Sequence, residues 1–175
     1  MFGMTKTIAW TGSALLACAL LVAPAPAATA DPDPNACQAL QAAGPRFRDL
    51  DQQRAALQDQ LKTLRGAHPP QGELDKWRDL QRQLGDLFRQ SQHFLEQTAD
   101  GVNNDVAEQA LRDQASAYQD LADVQDEIIS SEDADGVPAE LTGRFNDAAG
   151  RIAPAADRLN AVERDVCASA PAAGS

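Results

Sequence analysis

Apolar side chains recur every three or four residues along four long stretches of this chain, a spacing that places them on one face of an α-helix. The first stripe comprises Ala36, Leu40, Ala43, Phe47, Leu50, Arg54, Leu57, Leu61 and Leu64. The second comprises Trp77, Leu80, Leu84, Leu87, Ser91, Phe94 and Thr98, and the third Ala107, Ala110, Gln114, Ala117, Leu121, Val124 and Ile128. The fourth comprises Leu141, Phe145, Ala148, Ile152, Ala155, Leu159, Val162 and Val166. Because no stretch alternates with the period of two that is typical of strands, the pattern predicts an all-α protein.

Prolines and turn-forming segments divide the stripes. Pro45 follows Gly44 inside the first stripe, and proline starts a helix more readily than it continues one. We therefore expect a short first turn or two and then a long helix from about Pro45 to Arg65. Pro154 lies inside the fourth stripe and should bend that helix.

Segments rich in Gly, Pro, Asn, Asp and Ser separate the helices at residues 66–73, 99–105 and 130–136. Asn104 or Asp105 is available to cap the third helix. Four long helices with short links predict an antiparallel up-down-up-down four-helix bundle.

The first thirty residues have the pattern of a secretory signal peptide. Lys6 is their only charge, residues 8–23 are apolar, and Ala28–Ala30 form a small-residue cleavage site. We expect cleavage after Ala30 and no stable membrane span in the mature form, since the apolar run is shorter than the ~20 residues that a span needs. An alternative is that Cys18, which follows Leu15–Ala17, is lipidated. With cleavage after Ala30, we expect residues 31–168 to form the bundle domain and residues 169–175 a disordered Ala-rich tail.

Export has a consequence for the cysteines. Loss of the leader removes Cys18, and Cys37 and Cys167 are then the only thiols in an oxidising compartment. In an up-down-up-down bundle, the start of the first helix and the end of the last helix lie at the same end of the bundle. We therefore predict a disulfide between Cys37 and Cys167, with two free thiols as the alternative.

The charge of the protein is strongly negative, with a formal net charge of −11 at pH 7. Such a chain has little with which to build a basic surface for nucleic acid or anionic lipid. The third helix carries a predicted acidic interaction face, Asp120, Asp123, Asp126 and Glu127. The hypothesis is that this face meets a cationic protein partner or divalent ions, and the alternative is that it serves only solubility.

No arrangement of residues predicts catalysis or a cofactor. The chain has two histidines, and it lacks zinc-binding, phosphate-binding and nucleophile motifs. Residues 131–142 resemble a calcium-binding loop only in part, because Ser131 and Thr142 stand where that loop needs an acid and a bidentate glutamate. We expect a protein that is not an enzyme and binds no cofactor, with a weak calcium site at this turn as an alternative.

A second hypothesis concerns the interior of the bundle. His93 or Tyr118 would supply a ligand if the helices held haem or a small apolar molecule between them. Among the polar residues in the stripes, Ser91 and Gln114 lie at similar heights and would form a hydrogen-bonded layer, whereas Arg54 needs a carboxylate or must extend to solvent.

The composition, rich in alanine, aspartate and arginine and poor in lysine, is typical of an exported protein of a bacterium with GC-rich DNA. We expect a non-catalytic helical-bundle protein, secreted or in the cell envelope, that acts as a protein-interaction or scaffold module. The alternative is a carrier that binds a small apolar ligand or haem between its helices.

Overall fold

The computed structural model of the protein describes residues 30–64, 71–131 and 137–168. These ranges contain four α-helices and no strand, which confirms the predicted all-α class. The helices are α1 (Pro34–Leu64), α2 (Gln71–Asp100), α3 (Asp105–Ser130) and α4 (Ala139–Cys167). Residues 1–29 of the predicted leader and the predicted tail at 169–175 lie outside the described residues.

The prediction for the first helix was wrong at Pro45. A single helix, α1, begins at Pro34 and continues through Pro45 to Leu64. The residues before Pro45 are held by tertiary contacts, since Cys37 and Leu40 are buried in the core and Cys37 is cross-linked. This packing outweighs the backbone hydrogen bond that a proline removes from a helix.

Two helix starts follow from side-chain caps. The carboxylate of Asp33 accepts hydrogen bonds from the backbone N–H groups of Asn35 and Ala36, at 2.9 and 3.2 Å, and Pro34 is the first residue of α1. At α3, Asn104 is the N-cap, and its Oδ1 accepts from Ala107 N at 3.0 Å. Of the two capping residues that the sequence offers there, Asn104 is therefore the one used.

The apolar stripes form the core. Each helix contacts the next one along the chain, and α4 also contacts α1. The apolar stripe residues are buried or half-buried on all four helices. The largest side chains with almost no exposure are Phe88, Leu95, Leu111, Gln125 and Val166. The stripes therefore identify the packed faces of a helical bundle.

The four helices contribute unequally to this core. Twelve of the 26 residues of α3 are buried, against five of the 29 in α4 and six of the 31 in α1. The contact between α1 and α4 is also less extensive than that between α2 and α3. The helix contacts are consistent with an up-down-up-down order, in which α3 is the most enclosed helix. None of the described helices is sufficiently long and apolar to cross a bilayer.

Candidate functional site

A disulfide closes one end of the bundle. The sulfurs of Cys37 and Cys167 are bonded, and their Cα atoms lie 5.0 Å apart. The backbone N–H of Asp33 donates to the carbonyl oxygen of Val166 at 2.9 Å beside it. The start of α1 and the end of α4 are therefore neighbours, as the cysteine positions indicate.

The predicted acidic face is mostly engaged within the protein itself. Asp120 forms an ion pair with Arg151 of α4, and Asp126 forms one with Arg89 of α2. Glu127 accepts two hydrogen bonds from the guanidinium of Arg144, at 2.5 and 2.8 Å. Of the four predicted residues, only Asp123 has no ion-pair partner in the described part of the chain.

These pairs belong to a regular arrangement between α3 and α4, which we call the α3–α4 ladder. Its members are Arg144–Glu127, Arg151–Asp120 and Arg158–Asp113. The arginines are seven residues apart, and so are the carboxylates, which corresponds to two helical turns on each side. Residue numbers rise along α4 as they fall along α3.

The ladder borders a surface groove of about 420 Å³ between α3 and α4. Its charged lining consists of Asp120, Asp123, Glu127, Asp147, Arg144 and Arg151. Four carboxylates against two guanidinium groups leave a formal charge of −2. Asp123 and Asp147 account for this excess, because neither has an ion-pair partner among the described residues. Hydrogen bonding to Arg144 lowers the pKa of Glu127, so this carboxylate stays ionised further into acid than a free one.

A second concave site lies inside the bundle. This interior cavity has a volume of about 170 Å³ and is lined by side chains from all four helices. Its apolar lining comprises Phe47, Leu50, Leu95, Ala156 and Leu159, and its polar lining comprises Asp51, Ser91, Gln114, Tyr118 and Asn160. Asp51 and Asn160 are exposed, so the cavity opens to solvent on the side where α1 and α4 meet.

The cavity brings together the two polar positions that were expected to form a layer. Ser91 and Gln114 both line it, which agrees with their similar heights. The expected hydrogen bond between them is absent, because Ser91 Oγ donates to the carbonyl oxygen of Leu87 at 2.9 Å. Gln114 Oε1 is buried and has no partner within the described part of the chain. Ser91 therefore hydrogen-bonds within its own helix, and Gln114 Oε1 remains an acceptor without a donor among the described residues.

Arg54 contacts two residues of the cavity lining, Tyr118 and Asp51. Its Nη1 donates to the hydroxyl of Tyr118 at 2.5 Å, and its Nη2 lies 2.8 Å from Asp51 Oδ1. Arg54 therefore pairs with the carboxylate of Asp51 on its own helix, and its guanidinium also contacts Tyr118 on α3. Burial raises the pKa of Tyr118, and the positive charge of Arg54 opposes this effect in part.

The two residues suggested as ligand contacts do not lie at the same site in the structure. Tyr118 lines the cavity, whereas His93 is exposed on α2 and hydrogen-bonds to Gln97 at 2.9 Å. A volume of about 170 Å³ also lies below the ~300–1,000 Å³ typical of cofactor pockets. The cavity is therefore too small for haem, and His93 is not placed to coordinate an iron inside it.

One buried polar pair was missed by the sequence analysis. Gln125 Nε2 donates to Gln81 Oε1 at 2.7 Å between α3 and α2, and both side chains are buried. A Cβ atom at Gly85 would lie 3.3 Å from Gln125 Cγ, so the glycine leaves room for this amide. The signal was a second run at helical spacing, Leu111, Gln114, Tyr118, Leu121, Gln125 and Ile128.

Residues 132–136 of the calcium-like segment 131–142 lie outside the described residues. The described ranges contain no group of three or more side chains arranged to hold a metal ion.

Comparison with known proteins finds no family model, no curated protein and no solved structure that matches this chain.

Proposed function

We propose that this protein is a non-catalytic, exported helical bundle that acts as a protein-interaction or scaffold module and recognises a cationic protein partner. The observation that carries the proposal is the groove between α3 and α4, with its uncompensated carboxylates Asp123 and Asp147. A basic side chain entering there would meet negative charge without first displacing an arginine.

The α3–α4 ladder limits where such a partner would bind. Asp120 and Glu127 are already paired with Arg151 and Arg144, so their charge is locally balanced. A partner that competed for them would have to replace hydrogen bonds that are already made. We therefore assign recognition to Asp123 and Asp147, with the paired residues of the ladder at the edge of the groove.

We also infer the antiparallel up-down-up-down order of the helices. In support, the partners of Arg144, Arg151 and Arg158 are found at successively lower residue numbers on α3. The disulfide likewise joins the first turn of α1 to the last turn of α4. In this order α4 takes part in both the groove and the disulfide. Export to the cell envelope or beyond remains part of the proposal and depends on the leader at 1–30.

The test is a pull-down from the native envelope fraction across a series of salt concentrations. One variant combines Asp123→Asn with Asp147→Asn. The matched control combines Asp79→Asn with Asp157→Asn, which removes the same charge from exposed positions outside the groove.

We expect the groove variant to capture less of a basic partner, and the control variant to capture as much as the unmodified protein. Capture should also weaken as salt rises past about 0.1 M, where the Debye length is ~10 Å. If neither the groove substitutions nor salt changes what is captured, the acidic surface serves solubility alone and the proposal is wrong.

A further inference from the structure

The interior cavity contains a hydrogen-bonding group that the protein does not satisfy. Gln114 is 9% exposed, and its Oε1 atom has no donor among the described residues. Buried amides almost always have partners, because an unmade hydrogen bond costs free energy. Ser91 Oγ and the Tyr118 hydroxyl each make one hydrogen bond, since Ser91 donates to the carbonyl oxygen of Leu87 and Tyr118 accepts from Arg54. Gln114 Oε1 is thus a buried acceptor on a lining side chain that makes no hydrogen bond within the described part of the chain.

The volume limits what that molecule is. An apolar cavity of about 150 Å³ binds benzene, so about 170 Å³ corresponds to a single six-membered ring with a small substituent. Phe47, Leu95 and Leu159 supply apolar surface for the faces of such a ring. A larger molecule would have to separate the helices.

The electrostatics of the cavity favour a neutral occupant. Asp51, the only ionisable carboxylate of the lining, is paired with Arg54 at 2.8 Å, so neither charge is free to neutralise a ligand. Burial of an unpaired charge beside Leu95 and Phe47 would be strongly unfavourable.

We propose that the interior cavity is a binding site for a small uncharged ring compound that donates one N–H or O–H hydrogen bond to Gln114 Oε1, with a rotation of the Gln114 amide that turns this oxygen toward the ligand. The ligand enters between α1 and α4, where Asp51 and Asn160 border the opening. This site is distinct from the α3–α4 groove, and neither proposal depends on the other.

The experiment titrates the purified, disulfide-bonded protein with phenol and with fluorobenzene, followed by amide chemical shifts in NMR. The two probes are of similar size and are uncharged at pH 7, but only phenol carries a donor. The ratio of their dissociation constants is compared between variants, which cancels the different hydrophobicity of the probes. Gln114→Leu removes the acceptor, and Gln119→Leu makes the same change at an exposed position on α3.

We expect both probes to shift the amides of the lining residues. Gln114→Leu should weaken phenol binding relative to fluorobenzene binding by about two- to tenfold, which is the usual value of one net hydrogen bond. Gln119→Leu should leave the ratio unchanged. Ala156→Phe, which fills the cavity, should abolish binding of both probes, whereas Ala153→Phe on the exposed side of α4 should not.

Three results would overturn the proposal. The first is that neither probe shifts the lining residues up to its solubility limit, which means that the cavity takes up solvent only. The second is a ratio that stays the same in Gln114→Leu. The third is binding that survives in a folded Ala156→Phe protein. If Ala156→Phe does not fold, the Gln114→Leu ratio decides.

Discussion

At the scale of single residues, Gln114 and Gln125 are the same side chain buried on the same helix, and they differ in what faces them. Gln125 donates to Gln81, whereas Gln114 Oε1 has no partner in the described part of the chain. An unsatisfied buried polar group costs ~1–3 kcal/mol. We therefore expect Gln114→Leu to raise the free energy of unfolding by about 1 kcal/mol, and Gln125→Leu to lower it by ~1–3 kcal/mol because Gln81 loses its donor.

Urea unfolding of both variants at pH 7 measures this difference, with Gln119→Leu as the exposed control. Equal destabilisation by the two buried substitutions would show that Gln114 is satisfied in solution.

Tyr118 offers a pH-dependent test, because it is the only tyrosine of the chain. Burial raises its pKa, so the folded protein keeps the neutral phenol at a pH where the unfolded chain, with a pKa of about 10, has begun to ionise. The corresponding stability is fully present below pH ~10 and is lost as pH rises through the raised pKa of the folded state. Tyrosinate absorbance should therefore appear at higher pH in the native protein than in urea.

The control is Tyr118→Phe, whose unfolding free energy should fall less steeply above pH ~10. A native titration that begins at or below the pH of the denatured one would contradict the buried state of Tyr118.

Residue-level prediction from the sequence was good for burial and poor for pairing. Helical spacing identifies Ser91 and Gln114 as facing the interior, and the structure places both at one cavity. Spacing does not say which acceptor a hydroxyl will choose, and Ser91 chooses its own helix. The same limit applies to the acidic face, because the arginines that neutralise Asp120 and Asp126 come from other helices.

At the scale of helices, the α3–α4 ladder adds exposed ion pairs to the core packing that joins α3 and α4. We expect a double-mutant cycle of Arg151→Gln and Asp120→Asn to give a coupling of ~0.2–1 kcal/mol, since both side chains are about half exposed. The coupling should shrink in high salt. A parallel cycle of Arg151→Gln with Asp123→Asn, an acid without an ion-pair partner among the described residues, should give a smaller coupling, because the two side chains share the groove without contact at ion-pair distance. Unfolding in urea at low and high salt measures both cycles. If Arg151 couples equally to Asp120 and to Asp123, the specific pairing of Arg151 with Asp120 is wrong.

The helices themselves were largely predictable. Asn104 caps α3 as its side-chain chemistry favours, and the stripe of α4 marks the face that it buries. Even the ladder is visible in the sequence as acids and arginines at intervals of seven. The start of α1 was not predictable from local rules, because Pro45 argues for a break that Cys37 and Leu40 override through tertiary packing.

At the scale of the whole molecule, the fold consists of a well-enclosed α3 with α2 and α4 against it, and an α1 that is held less extensively. The contacts of α1 with α2 and α4 are together less extensive than those of any other helix, and its share of buried residues is close to that of α4. The Cys37–Cys167 disulfide ties this helix to the rest at its first turn. The bond therefore protects the element that the core secures least.

Removal of that bond should have a large and localised effect. The loop that it closes runs from Cys37 to Cys167 and contains 131 residues, and on the chain-entropy model this restrains the unfolded state by about 5 kcal/mol. Because domains of this size are stable by only ~5–15 kcal/mol, reduction should lower the melting temperature substantially. Hydrogen exchange should then quicken first in the early turns of α1, while α3 stays protected, because local opening follows the regions with the fewest buried contacts.

The Cys37→Ser, Cys167→Ser double variant should behave like the reduced protein and should not respond to reductant. If the oxidised and reduced proteins melt together, or if α3 exchanges before α1, the disulfide does not secure the fold in the way that the contacts of α1 indicate.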